Sequence, residues 1–420
     1  MTRSVRPARP RAVLDESLEA EIKVKKPPKR WQRPSFWILA AAGLGATVCL
    51  VRLLTVSWPV LEHKARPPAD GHRALRGLFH LQVSDGAEDR GQPGVEEAFH
   101  LGFQWVVAAD PDPRRAGNLV NQAPFPLVAA ALREGAEGGF LLFGGEEPLP
   151  LMSGRSLADI RGAGGVVVLA ARTSAALSWR DLQAQSFDGI ELFDLSHPPP
   201  ADSIWDAAWT ELARLVRLPY RHLRAARRPV ENLARLDDLN RRRRTLLFCG
   251  AGNAAGDASI WPSLAMYLLV PDSQGPWYPR EIVAALRSGR SFCAAPFLGD
   301  ASGFRFFAAR QDGALVGMMG DSLTLEPGLS LVADMNLSAP APAIELRLLL
   351  DGIEISRAGG GRLDFRPEKP GAYRVEAYVP VPRIPFGRQD AVFVLSNPIF
   401  VMPTPAPAST IAPPSRKEHR

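Results

Sequence analysis

The sequence predicts an α/β domain on a parallel sheet, then a small all-β sandwich, with one apolar span near the N-terminus. Three observations predict it. Between about residues 77 and 296, short apolar runs alternate with helix-like patterns, as strand–helix units with buried strands do. Beyond 297 the helical patterns give way to short alternating runs between turns. Residues 36–51 carry no charge at all.

Residues 1–34 are Pro-rich and basic, and read as a disordered cytoplasmic arm. Residues 35–59 follow as a transmembrane signal anchor. As a helix, Phe36 to Trp58 would run roughly 34 Å at about 1.5 Å per residue, enough to cross a bilayer core. Arg52 sits near enough to the far end to snorkel, and Trp31, Trp37 and Trp58 fit an aromatic belt. A cleaved signal peptide is the alternative, but the basic arm is long and no small-x-small cleavage site follows. The arm places the N-terminus in the cytoplasm and the rest outside, in the periplasm if the source is Gram-negative. Residues 60–76 form a linker.

In the α/β domain (77–296), strands are expected at 78–83, 105–109, 140–143, 166–170, 189–193 and 245–249. Helices are expected at 95–102, 126–134, 177–185 and over 203–240. In the β-domain (297–402), strands are expected at 329–335, 343–350, 353–356, 362–366, 371–379 and 391–395. Asp351-Gly352 marks a hairpin. Residues 403–420 are Pro/Ala-rich and then basic, a disordered tail. Periodicity alone leaves a barrel and a doubly wound sheet both open.

The chain has 420 residues, 46% hydrophobic and 22% charged, with net charge +6, the balance of a folded protein. Its three cysteines exclude a disulfide scaffold. Cys49 lies in the apolar run, and Cys249 and Cys293 read as thiols of the soluble part. No P-loop lysine follows a Gly-rich turn, and no GxSxG occurs.

Residues 77–86 read GLFHLQVSDG, which resembles the H-x-H…S-D-G motif of the PHP (polymerase and histidinol phosphatase) superfamily. Further segments resemble that family in order: 94–110, Gly144-Gly145-Glu146, 164–170, DGIELF at 188–193, 250–256 and 278–290. The ending SNPIFV at 396–401 resembles the CehA-like branch. The resemblance implies a distorted (β/α)7 barrel whose strand ends carry His, Asp and Glu around a cluster of divalent metals that activates water on a phosphoester. In this chain His80, Asp110 and Glu146 stand at ligand positions. Gln82, Pro111, Ala171, Gly252 and Ala254 stand where the family has other ligands. Most of these carry no donor atom, and a carboxamide is a poor ligand for zinc or manganese. The expectation is therefore a pseudo-enzyme: a non-catalytic binding or scaffold module with no cofactor. The alternative is a phosphoesterase of reduced metal nuclearity, with zinc or manganese held by the three remaining positions.

Arg214, Arg217, Arg221, Arg224 and Arg228 recur at helical spacing and would share one face, apart from a kink at Pro219. That face is either solvated or set against anionic lipid or a protein partner. Nucleic acid does not fit a domain outside the membrane.

Overall fold

The computed structural model describes residues 34–55, 70–82, 91–120, 123–135, 138–144, 156–171, 177–178, 185–195, 204, 207, 211, 219–250, 258–272, 277–337, 341–383 and 387–404. The chain divides into two units, 1–55 and 56–420. In the first, α1 (Pro34–Thr55) is one helix. Its Pro34–Val51 stretch has a mean hydropathy of 1.8, long and apolar enough to cross a membrane.

In the second unit, β1 (His72–Gln82), α2 (Gly91–His100), β2 (Trp105–Asp110), α3 (Pro113–Val120) and β3 (Leu127–Gly135) come first. Then follow β4 (Gly138–Phe143), α4 (Leu157–Gly162), β5 (Val166–Leu169), β6 (Gly189–Glu191), α5 (Pro219–Ala225), α6 (Val230–Asn240) and β7 (Leu246–Phe248). The α/β part ends with β8 (Ala265–Pro271), α7 (Pro279–Ser288) and β9 (Ser291–Ala294). Along the sheet the order is β9-β8-β1-β2-β3-β4-β5-β6-β7. The pairs β1–β2, β2–β3, β5–β6 and β6–β7 are parallel. β4 runs against both of its neighbours, and β8 against β1.

The sheet is thus mixed, not parallel as the alternating pattern suggested. The cause is local: the 126–134 segment forms β3 and not a helix. Its Ala129-Ala130-Ala131 run favours helix in isolation, but pairing with Val107–Asp110 on one side and β4 on the other overrides that preference. The helix expected at 177–185 lies mostly outside the described residues, as does the first half of the one expected over 203–240. The second half is two helices, α5 and α6. Pro219 opens α5, where a missing N–H costs nothing. Pro229 separates the two and disfavours helical backbone at Arg228.

Close packing sets several positions. Trp105 lies on β1 so tightly that a Cβ on Gly77 would fall within its ring, and its Nε1 donates to Leu75 O at 3.0 Å. The two ends of the sheet meet without pairing as strands. Asn397 accepts from Leu247 N at 2.7 Å and donates to the carbonyls of Leu247 and Ser291, both at 3.1 Å. It therefore joins β7 to β9. Beside it, Cys249 and Cys293 form a disulfide with Cα atoms 5.7 Å apart. The two residues are therefore not the free thiols expected from the sequence. They are 44 residues apart, and only the curling of the sheet brings them together.

β9 also pairs with a strand of the β-domain, so the large sheet continues across residue 296. There follow β10 (Arg305–Ala309), β11 (Leu315–Met318), β12 (Ser322–Thr324), β13 (Ser330–Asp334), β14 (Ala341–Leu350), β15 (Ile353–Gly360) and β16 (Arg362–Phe365). The last are β17 (Gly371–Pro382), β18 (Arg388–Ser396) and β19 (Ile399–Met402). β18, β17, β19 and β12 extend the large sheet, and β14 and β15 branch from β17. A second, antiparallel sheet runs β11-β10-β13-β16. Asp351 and Gly352, both at positive φ, turn β14 into β15.

A buried ion network fastens α6 and the segment after α5 to β17. Arg374 donates twice to Asp237, both bonds at 2.7 Å, and once to Glu376. Arg228 donates twice to Glu376, at 2.9 and 2.8 Å, and Tyr378 donates its hydroxyl to the same carboxylate. Burial opposes ionisation of Glu376, but the bonds from Arg228 and the charge of Arg374 bring its pKa down to about 2. A lowered carboxylate pKa stabilises the fold above the ordinary value of 4.5, and that contribution is lost as pH falls toward about 2. Glu376→Gln is expected to cost about 3–5 kcal/mol near neutral pH and to flatten the loss of stability between pH 4.5 and 2. Urea denaturation across that range checks it.

Asn397→Ala removes the polar bridge between β7 and β9 and leaves the Leu247 N–H unpaired. A loss of about 2–4 kcal/mol is expected, larger when Cys249 and Cys293 are reduced. Denaturation with and without reductant measures both.

Candidate functional site

The C-terminal ends of the parallel strands carry the polar residues of interest. β1 is irregular there: its pairing with β2 slips between Leu78 and Leu81, and His80 has φ 64. Left-handed backbone at a non-glycine residue costs about 1–2 kcal/mol, and such strain gathers at sites that need one side chain aimed. Leu78, Phe79 and Leu81 are buried in the core, and the slip turns the buried His80 ring towards β6. His80 Nδ1 lies 2.9 Å from Glu191 Oε1. The other carboxylate oxygen, Oε2, accepts from Ala171 N at 3.2 Å. Gly250, just past β7, closes the group from the third side. A Cβ there would come 2.4 Å from Phe193 O and 3.0 Å from Glu191 Oε1, so no side chain fits.

Burial opposes a charge on His80, but the charge and hydrogen bond of Glu191, with Asp194 beyond, push its pKa up. Among the described residues its buried Nε2 has no hydrogen-bond partner.

Asp110 ends β2 and is buried. Its Oδ1 accepts from Asp112 N at 2.6 Å, a local turn over the exposed Pro111. Gln82 ends β1, half-buried, beside Ala109 of β2. Gly252, Ala254 and Glu146 lie outside the described residues. The strand leading to Glu146 is β4, and its last residue, Phe143, pairs with Val166 at the start of β5. β4 therefore delivers the chain to the opposite end of the sheet from Ala171 and Glu191. Strand direction could not be read from the motif.

Glu191, which is not among the expected ligand positions, is the carboxylate that joins His80 to Ala171. It stands in DGIELF, whose buried polar residue between apolar neighbours was the available signal. Ala171 joins through its backbone N–H, a role open to any residue but proline. Among the described residues, no group of three His, Cys, Asp or Glu is placed to hold a metal ion. Glu191 uses both oxygens on His80 and Ala171. Among the described residues, His80 and Asp110 are the expected ligand positions at these strand ends, and two donors alone do not make a multi-metal cluster.

The arginine series divides. Arg214 and Arg217 lie outside the described residues. Arg221 and Arg224 are half-buried on α5, and Arg221 donates to Ser259 Oγ. Arg228 lies beyond the helix and is held by Glu376, so it does not extend a lipid-facing stripe.

No family model and no curated protein matches the chain. Among solved structures, PsfC from Pseudomonas syringae PB-5123 is similar at 12% identity with a TM-score of 0.30, over 51% of this chain and 89% of that one. A likeness at that level identifies neither fold family nor function.

Glu191→Ala would leave the His80 Nδ1 and Ala171 N–H groups buried without an acceptor. A loss of about 3 kcal/mol is expected, and a smaller one for Glu191→Gln, which keeps an oxygen. Chemical denaturation of both variants checks the order. Equal stability of Glu191→Ala and the parent would remove Glu191 from the fold's polar centre.

Proposed function

We propose that this chain is a membrane-anchored protein with a degenerate PHP-like, CehA-like barrel outside the cytoplasmic membrane. In this reading it serves as a non-catalytic binding or scaffold module. The observation that carries the reading is the closed group at the strand ends: Glu191 holds His80 and the Ala171 amide, and so is spent on protein contacts. Gln82, Pro111 and Ala171 supply no strong metal donor beside it. The basic arm and α1 support a single-pass anchor with a cytoplasmic N-terminus. The Cys249–Cys293 disulfide supports an oxidising compartment for the rest.

One observation favours a second reading, a phosphoesterase of reduced metal nuclearity. His80 has its Nδ1 held by a carboxylate and its buried Nε2 without a partner among the described residues, the arrangement that orients a histidine toward a cation. In that case His80 and Asp110 would hold one zinc or manganese ion, which would supply an activated water, with Glu146 left out because β4 runs to the other end of the sheet. The protein groups would only fix its position.

Purified full-length protein, loaded with zinc or manganese and dialysed, separates the two. The pseudo-enzyme reading expects less than stoichiometric metal and no phosphoester hydrolysis above a His80→Ala/Asp110→Ala control. Stoichiometric metal with hydrolysis abolished in that control would overturn it.

A further inference from the structure

The end of the sheet opposite His80 and Glu191 is ringed by arginine. Arg161 lies on α4 ahead of β5, Arg241, Arg242 and Arg244 lead into β7, and Arg287 and Arg290 lead into β9. Hydrogen bonds link the elements that carry them. Arg287 donates to Gly164 O at 3.4 Å, tying α7 to the turn before β5. Arg244 donates to Ser288 O at 2.7 Å and Gly320 O at 3.1 Å, tying the start of β7 to the end of α7. Arg161 is 2.8 Å from Asp188, Arg241 3.6 Å and Arg242 3.9 Å from Asp238, and Arg290 4.0 Å from Asp321. Among the described residues these three aspartates are the carboxylates paired with the six guanidinium groups, so the patch keeps a positive excess. All but the half-buried Arg290 are exposed. The crowding is felt next door: burial, and then the Arg161 charge, push the Arg243 pKa down, with Asp188 opposing.

β1 runs in the same direction as β5, β6 and β7, so its first residue, His72, starts towards this same end of the sheet. Residues 56–71 join it to the apolar helix, a span of at most about 55 Å when fully extended. A strongly cationic face on such a tether fits an anionic bilayer surface, where each arginine near the headgroups strengthens contact by about fivefold.

We propose that the Arg161/Arg242/Arg287 face is the surface on which the folded unit lies against anionic lipid headgroups of its own membrane. This rests on the membrane-anchored reading above and moves the lipid contact away from the Arg214–Arg228 series.

Hydrogen exchange on full-length protein in nanodiscs tests it, with phosphatidylcholine alone or mixed with phosphatidylglycerol. Anionic lipid is expected to slow exchange at 241–244 and 286–290 by about fivefold or more, and about 0.5 M salt to reverse this. Arg242→Glu/Arg287→Glu, two exposed positions with only long contacts, should abolish the slowing while the circular dichroism spectrum stays unchanged and the melting temperature falls only slightly. Equal exchange in both lipids would overturn the proposal, as would equal slowing by soluble heparin, which would point to a soluble acidic partner. Failure of the chain to enter nanodiscs at all would overturn the anchoring reading itself, and size-exclusion chromatography detects that separately.

Discussion

Asn397 lies between β7 and β9 and satisfies backbone groups of both through one carboxamide. Two strands held this way need not adopt a common register, because the bridge is a side chain and not a ladder. The neighbouring residue works in the same place: Ser396 Oγ accepts from Val375 N, tying the end of β18 to β17. The SNPIF segment thus has a physical explanation that needs no catalytic role. The disulfide repeats the link covalently, so the ends of the curled sheet are joined twice, once by polar bonds and once by sulfur.

The second part of the unit is fastened by charge as well as by strands. Arg374 is almost wholly buried, and its cost is met because Asp237 and Glu376 take its donors on opposite sides. Arg228 then balances Glu376. A buried ionic group of this kind specifies one relative placement of α6 and β17, since a shift leaves an unpaired charge inside. Arg305 does the same at the start of β1, where it meets Asp70 and the His72 carbonyl from β10.

Much of this was legible residue by residue. α7 carries its signals in the sequence: Pro279 in the first turn, Glu281 accepting from Tyr278 N, and Gly289 ending the helix at positive φ. The wholly apolar run Val166–Leu169 could be little else than a buried strand. What was not legible depended on partners far along the chain. The alanines of β3 favour helix until two strands flank them. The Arg228 partner is 148 residues away, and nothing local distinguishes that arginine from a solvated one. At the candidate site, His80 and Asp110 could be picked from motif spacing, whereas Glu191 could not be assigned, because its role follows from the bend at His80.

The reversed direction of β4 has a consequence for how the molecule forms. It separates β1–β3 from β5–β7, and the strand-end group draws on both sets: His80 from the first, Glu191, Ala171 and Gly250 from the second. The His80–Glu191 contact spans 111 residues, and the loop-closure cost of forming it falls once the β3–β4 hairpin has brought the halves together. The bent His80 backbone and the carboxylate that compensates it thus stand on opposite sides of one hairpin, and the His80 ring reports whether the two halves are joined.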